Sequence, residues 1–354
     1  MLVSYKILIA APPYRPLPID GYGAVEKIAI QRGKALGHLG LEVSYVLPPG
    51  SKTENSGKTY YLNKIPVYSG SKPKMMYVYK AFKNLEINNN FDVILNETPL
   101  YDPLNYINFN KVFGYNNRID ILHGNAMRAT KIKKPPFLKF PILGALNKHI
   151  SEKLVSNGWR SVYFPNGIEV PDVSEVNETP DEYFVFIGQI IPTKGVENAI
   201  KLAKRVGRKL FLIGPIKDYN YFERIVKPLI DNEKIILVGE VTWTVLEYYL
   251  RNASALLFTS TFNDPQPTVL LEALSYGVPI IAKLPSYYSG FFDICNSNNS
   301  ITGNSIEEIL QNYKTLLGFS RRRIYEDTKK EWSWENVIKK WYFPIFDEIV
   351  RKGC

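Results

Sequence analysis

The chain has 354 residues, 45% of them hydrophobic and 22% charged, which exceeds one ordinary core, suits two α/β domains and excludes a disordered or repeat-built chain. No run approaches the roughly 18–20 apolar residues a membrane-spanning helix needs, and two cysteines, Cys295 and Cys354, exclude a disulfide framework and point to a reducing, cytoplasmic setting. The net charge of +10 is uneven: residues 1–165 hold 22 Lys+Arg against 10 Asp+Glu, and the remainder 22 against 24, so the first half suits an anionic partner and the second does not.

The apolar run Tyr5–Ala11 predicts a buried strand with no small-residue cleavage site behind it. Pro12, Pro13, Pro16 and Pro18 force a loop, which Gly21-Tyr22-Gly23 closes. From Ala24, residues Val25, Ile28, Ala29, Ala35 and Leu36 recur at helical spacing, and Glu42–Leu47 reads as the next strand. Strand, glycine turn, helix and strand make a βαβ unit, hence a parallel sheet. Phe91–Leu95 and Ile119–His123 extend that sheet, Lys131–Phe140 reads as an exposed basic and apolar loop, and Pro171–Asp181 is the expected linker. A second alternation follows. Strands are expected at Tyr183–Ile187, Lys209–Ile213, Lys234–Val238, Ala255–Phe258 and Pro279–Ala282. Helices are expected at 196–206, 219–230, 243–251 and 269–276, which together give a doubly wound domain. Trp334–Val350 reads as a closing amphipathic helix.

Ligands of such sheets lie beyond the carboxyl ends of the strands, and four turns there have unusual composition. In Asp264-Pro-Gln-Pro-Thr-Val-Leu-Leu-Glu272, Pro267 suits a first helical position, leaving the amides of Thr268, Val269 and Leu270 as an anion site. Glu272, one turn beyond Thr268, and Asp264 are acids that fit neutral hydroxyls such as those of a ribose; the residues alone equally allow Asp264 to be a helix cap and Glu272 to be solvated. In Gly188-Gln189-Ile-Ile-Pro-Thr-Lys194-Gly195, Lys194 at a helix start can clamp a diphosphate or merely open a helix. Gly23 opens the first helix without the G-x-G-x-x-G fingerprint. His123, one of three histidines, ends a strand and suits either a site or a satisfied core position.

In this order the pieces resemble glycosyltransferase family 4, retaining enzymes with the GT-B fold. The family's G-Y-G-G-x-E-R stands here as Gly21-Tyr-Gly-Ala-Val-Glu-Lys27, its strand-end histidine as His123, and its N-G-I-D as Asn166-Gly-Ile-Glu169. Its F-x-G-R-x-x-x-x-K-G stands as Phe186 to Gly195, and its E-P-F-G-L-V-x-x-E-A-M-A-x-G-T-P-V-I-A as Asp264 to Ala282. The resemblance is strong after Tyr183 and thin from about residue 50 to 160. It implies an α/β architecture of two Rossmann-like doubly wound domains facing an interdomain cleft. The first would be residues 1–168 on the acceptor side, with a helix near 335–354 packing back on it. The second, 169–334, would carry the nucleotide-sugar site.

Carried over by position, the resemblance places Gly23, Gly188, Gln189, Lys194, Val241, Asp264, Thr268, Val269 and Glu272 at the donor. Gly23 would lie at its phosphate or sugar, and the Gly239-Glu240-Val241 turn at its base. Asp264 would hold hydroxyls of the transferred sugar, Glu272 the ribose, and the backbone of Thr268 and Val269 the phosphate. His123, Lys194 and Asp264 would be the catalytic set. The expected reaction moves a hexose with retention from a UDP- or GDP-type sugar to an acceptor hydroxyl of a glycan, a lipid-linked sugar or a small molecule. No Asp-x-Asp pair is poised for a metal, so no metal and no further cofactor are expected. The family's arginine is replaced by Gln189 and its first glutamate by Asp264, which leaves open a weakened homologue that only binds. The basic half suggests peripheral contact with an anionic inner membrane face. A nicotinamide-dependent oxidoreductase lacks its glycine fingerprint here, and a nucleic-acid binder lacks a recognition motif.

Overall fold

The computed structural model describes residues 5–19, 23–53, 56–62, 82–83, 85, 90–98, 110–124, 126–137, 139–284 and 288–353. Gly21 and Tyr22 of the first glycine turn, Leu138 of the basic loop and Cys354 lie outside them. The described residues divide into two compact units: those up to Gly167 together with those from Trp334 onward, and those of Ile168–Ser333.

The first unit holds strands β1 (Lys6–Ala10), β2 (Glu42–Leu47), β3 (Thr59–Tyr61), β4 (Val93–Asn96), β5 (Arg118–Leu122), β6 (Ile142–Ala145) and β7 (Ser161–Tyr163). All neighbouring pairs are parallel, in the order β3-β2-β1-β4-β5-β6-β7. Chain direction along the sheet reverses between β1 and β4, which makes that gap the switch point of this unit. Leu8, Ala10, Val46, Ile94, Leu122 and Leu143 face Phe82, Phe113 and Trp159 in one buried layer. Strands β3, β6 and β7 were not expected from sequence. Two are three residues long and partly polar, and β6 carries Gly144, where a Cβ would stand 3.0 Å from Ile119.

Trp334–Val337, a wide turn at Ile338–Tyr342 and Phe343–Gly353 form one helical stretch in this unit. It is pinned by Tyr342 stacked on Phe164 at 3.7 Å and by Tyr5 edge-on to Phe346 at 5.9 Å. Gly167 has no room for a side chain, since a Cβ would lie 2.7 Å from the Trp334 backbone. The Asn166-Gly167 pair thus serves packing. Asn166 accepts a hydrogen bond from buried Arg32 at 2.6 Å.

The second unit contains β8 (Tyr183–Ile187), β9 (Lys209–Ile213), β10 (Ile235–Gly239), β11 (Ala255–Phe258), β12 (Ile280–Lys283) and β13 (Ser300–Gly303). They run parallel in the order β10-β9-β8-β11-β12-β13, with the switch point between β8 and β11. The sixth strand, β13, was missed because Ser300-Ile-Thr-Gly303 offers a single aliphatic residue. The 219–230 segment is helical but irregular, with a wide turn at Phe222–Val226 and a tight one at Lys227–Leu229, where Pro228 cannot donate to the ladder.

Pro171–Asp181 is not a free linker. Asp172 caps a short turn at Val173–Glu175, Glu175 pairs with Arg251, and Asn177 donates to Asn252 at 2.8 Å. The division falls a few residues earlier, at Gly167, because these polar side chains all find partners inside the second unit. Buried Arg321 closes two helix ends there, donating to the carbonyls of Ala253 and Arg251 at 2.6 Å and of Tyr276 at 3.4 Å. Cys295 is a buried free thiol whose pKa burial pushes well up, which makes it a poor nucleophile.

Candidate functional site

In the second unit, the turns that leave β8 and β11 flank the switch point, and the sequence shows why they meet. Three hydroxyl residues, Thr259-Ser260-Thr261, follow β11 directly. Thr259 Oγ1 donates to the carbonyls of Lys194 at 3.1 Å and Gly195 at 2.8 Å. Ser260 Oγ, the Thr261 amide and the Thr261 hydroxyl all reach the Thr193 carbonyl, at 3.2, 2.9 and 3.2 Å. The turn that carries Lys194 is therefore sewn to the loop that carries Asp264. Gly195 makes the approach possible. Its φ is 65°, and a Cβ would sit 2.3 Å from the Thr259 carbonyl oxygen. Gly195→Ala is expected to cost about 1–3 kcal/mol, with a parallel loss of nucleotide affinity, measured by urea unfolding and by calorimetry.

Lys194 ends a short turn, Pro192–Lys194, and is half-buried. Among the described residues its ammonium has no ion-pair or hydrogen-bond partner, and neither has the side-chain amide of Gln189 on the same turn. Gly188 follows β8, its amide donating to the Ile213 carbonyl at 2.9 Å. Gly214, after β9, comes so close that a Cβ would meet the Gly188 carbonyl oxygen at 2.0 Å, and its amide donates to Gly239 at 2.8 Å. The 188, 214 and 239 turns thus form one row, and Val241 ends it, half-buried against the core of the second unit.

The helix after β11 spans Thr268–Ser275. Pro267 precedes it at the cap position instead of occupying the first turn, because its extended backbone (ψ 107°) lets its carbonyl accept the Leu270 amide at 3.1 Å. Leu270 is therefore not available as a donor. The amides of Thr268 and Val269 keep no acceptor among the described residues, and at a helix start they carry the positive end of the dipole. Asp264 is not the helix cap. Its Oδ1 accepts the Gln266 amide at 3.2 Å, two residues before the helix, in a turn of its own. Its backbone amide donates to Phe262 at 2.9 Å and to the Tyr288 hydroxyl at 2.9 Å. Tyr288 is fully buried, and burial first, then the nearby Asp264 carboxylate, pushes its phenol pKa far up, so it stays a neutral strut. At Gly290 a Cβ would lie 2.1 Å from the Asp264 carbonyl oxygen, so this segment rests directly on the loop. Glu272 is half-buried one turn beyond Thr268.

The structure thus gathers Gly188, Gln189, Lys194, Asp264, Thr268, Val269 and Glu272 around one switch point of the second unit, with Val241 at the outer end of the row. The turns and helix start at this point thus carry an ammonium and open helix-start amides together with two carboxylates. A phosphate suits the first pair and hydroxyl groups suit the second.

Gly23 and His123 belong to the first unit. Gly23 caps the helix Ala24–His38 without a side chain, beside the Arg15–Glu26 ion pair at 3.3 Å. His123 follows β5, is nearly buried, and pairs through Nε2 with Glu97 Oε2 at 2.8 Å. Glu97 follows β4, is fully buried and forms an ion pair with fully buried Arg32. Glu97 and Arg32 were missed by sequence reasoning. The polar trio Asn96-Glu97-Thr98 straight after a strand, and an arginine four residues from both Ile28 and Leu36 on an apolar helix stripe, were the available signals. No group of three or more metal-ligating side chains occurs among the described residues, and no described helix is long and apolar enough to cross a membrane.

Residues 171–315 match the family model described as "Glycosyl transferases group 1". A lipopolysaccharide 1,6-galactosyltransferase of Salmonella typhimurium is 28% identical over 150 residues, 39% of this chain and 42% of that protein; the match therefore spans less than half of that relative's length. Among solved structures, sucrose-phosphate synthase of Thermosynechococcus elongatus matches with a TM-score of 0.74 at 15% identity, covering 98% of this chain and 100% of the other. The HepE protein of Anabaena in complex with UDP-glucose matches with a TM-score of 0.67 at 12% identity, covering 97% and 100%. These likenesses span nearly the whole chain and show its fold: two Rossmann-like domains of the GT-B type.

Proposed function

We propose that the chain is a retaining glycosyltransferase that moves a hexose from a nucleoside-diphosphate sugar, of UDP or GDP type, to an acceptor hydroxyl. The observation that carries this reading is the gathering, at one switch point, of the acids Asp264 and Glu272 with a Lys194 ammonium and amides of Thr268 and Val269 that have no partner among the described residues. The family match over 171–315 supports it, since it covers this whole constellation.

In this reading Lys194 and the helix start take the diphosphate, Glu272 the ribose, the Gly239–Val241 turn the base, and Asp264 the transferred sugar. The C–O bond at the anomeric carbon breaks with oxocarbenium character, and the departing diphosphate is stabilised by groups already in place. The acceptor hydroxyl enters from the leaving-group face, its oxygen bonding to the anomeric carbon as its proton passes to the oxygen of the departing diphosphate, so configuration is retained. Gln189 offers a neutral amide where the family has an arginine, which leaves Lys194 to carry most of the cationic work. The acceptor is a glycan or lipid-linked sugar, reached by a basic first unit that can rest on an anionic membrane surface.

A thermal-shift comparison of UDP, GDP, ADP, NAD and an oligonucleotide tests the reading, followed by mass spectrometry of products from a panel of donor sugars. Stabilisation by UDP or GDP and a product heavier by one hexose are expected. Stabilisation by NAD or by the oligonucleotide alone would sink it.

A further inference from the structure

Residues 121–151 of the first unit carry six cationic side chains, Arg128, Lys131, Lys133, Lys134, Lys139 and Lys148, and not one Asp or Glu. In their midst Phe137 is 95% exposed. A lone exposed apolar side chain needs no explanation in general; Phe137 differs in being held out by the loop beneath it. On one side of that loop the Asn157 side-chain amide donates to the Thr130 carbonyl at 2.6 Å and the Trp159 indole to the Ile132 carbonyl at 2.7 Å. The Lys134 amide donates to the Asn157 carbonyl at 3.0 Å. On the other side the Asn110 side chain donates to the Lys139 carbonyl at 3.0 Å, and Phe140 stands edge-on to buried Trp159 at 4.7 Å. Between these tethers Pro135 and Pro136 restrict the backbone. Drawing Phe137 inward would break them, so its ring stays in water.

The charges around it are open as well. Lys131, Lys133 and Lys139 are exposed and Lys134 is half-buried. The Lys139 ammonium lies 5.4 Å from the centre of the Tyr115 ring, a contact that leaves its charge unneutralised. A second copy of the chain placed here would bring like charges together. A bilayer bearing anionic lipid matches both features, since it offers negative headgroups above an apolar layer.

We propose that the 131–140 loop is a membrane anchor: Phe137 inserts beneath the headgroups of an anionic bilayer while Lys131, Lys133, Lys134 and Lys139 rest on its phosphates. This deepens the proposed contact of the first unit with an anionic surface, on which it rests, by naming the segment and adding insertion to charge. The two parts work together, because one apolar insertion or one basic patch alone gives only marginal attachment.

Sedimentation of the full chain with vesicles of phosphatidylcholine, pure or mixed equally with phosphatidylglycerol, tests the anchor. Binding is expected to the mixed vesicles only, and to weaken as salt rises. Phe137→Ala is expected to weaken it about 10-fold, from the apolar burial lost with a phenyl ring, and Lys133→Gln about 5-fold. Both side chains are exposed, so urea unfolding of either variant should match that of the unaltered chain. Phe137→Trp is expected to add a blue shift in emission on the mixed vesicles, beyond any shown by the unaltered chain. A Phe137→Ala chain that binds as tightly as the unaltered one overturns the insertion and leaves a purely electrostatic contact. Absence of binding to the mixed vesicles overturns the anchor and the membrane contact together, while sugar transfer in solution is judged by its own products. Tighter binding to an oligonucleotide than to the mixed vesicles, undiminished by Phe137→Ala, would assign the loop to a nucleic acid instead.

Discussion

Lys194→Ala is expected to lower sugar transfer by about 10²–10³-fold, the usual cost of removing one fixed donor from a developing negative charge. Donor hydrolysis in the absence of acceptor should fall with it. The reason lies in how few cations this site has. Gln189 is neutral, and the amides of Thr268 and Val269 contribute only partial charge. Lys194 has no protein partner among the described residues, so its removal leaves no orphaned acid behind and should leave the fold intact. Steady-state rates with the donor that binds best, alongside urea unfolding, separate the two effects. A variant that unfolds normally and still transfers sugar at the original rate would remove the diphosphate clamp from the mechanism. Lys194→Arg is expected to recover part of the rate, because the charge returns on a differently shaped group.

Arg32→Met should have the largest effect on stability, about 3–5 kcal/mol, because it leaves Glu97 as an unpaired carboxylate in a buried site. Burial already lowers the Arg32 pKa, a sign of how poorly this site solvates charge. The double variant Arg32→Met with Glu97→Leu should regain most of that loss, since replacing both members of a buried pair with apolar groups is often close to neutral. Urea unfolding followed through tryptophan fluorescence measures both, with Trp159 and Trp334 reporting from the same unit. A double variant as unstable as the single one would mean that Arg32 acts through Asn166 and Tyr342 rather than through Glu97.

The two effects fall on opposite sides of what the chain makes legible. Lys194 was readable from local pattern: a five-residue strand, a glycine, a polar residue and a lysine before a helix, with boundaries at Tyr183–Ile187 and Val196–Val206 matching the structure. Local chemistry decides such segments, because a short continuous apolar run and a glycine or proline stop need no distant partner. Strands β3, β6 and β7 were not legible, because three or four residues of mixed polarity become strands only when a neighbouring strand supplies the hydrogen bonds.

At the site, the sequence by itself determined the residue types. It set the acids of the 264–272 segment, the lysine at 194 and the glycines that let turns approach. The tertiary structure alone decided that Asp264 turns on its own amide loop instead of capping a helix, that Thr259, Ser260 and Thr261 sew the two turns together, and that Pro171–Asp181 packs instead of linking. It alone joined Arg32, Glu97 and His123, which are 65 and 26 residues apart in sequence. The physical reason is that a turn is fixed by its own few residues, whereas a buried charge is tolerated only where the fold brings a countercharge from elsewhere in the chain.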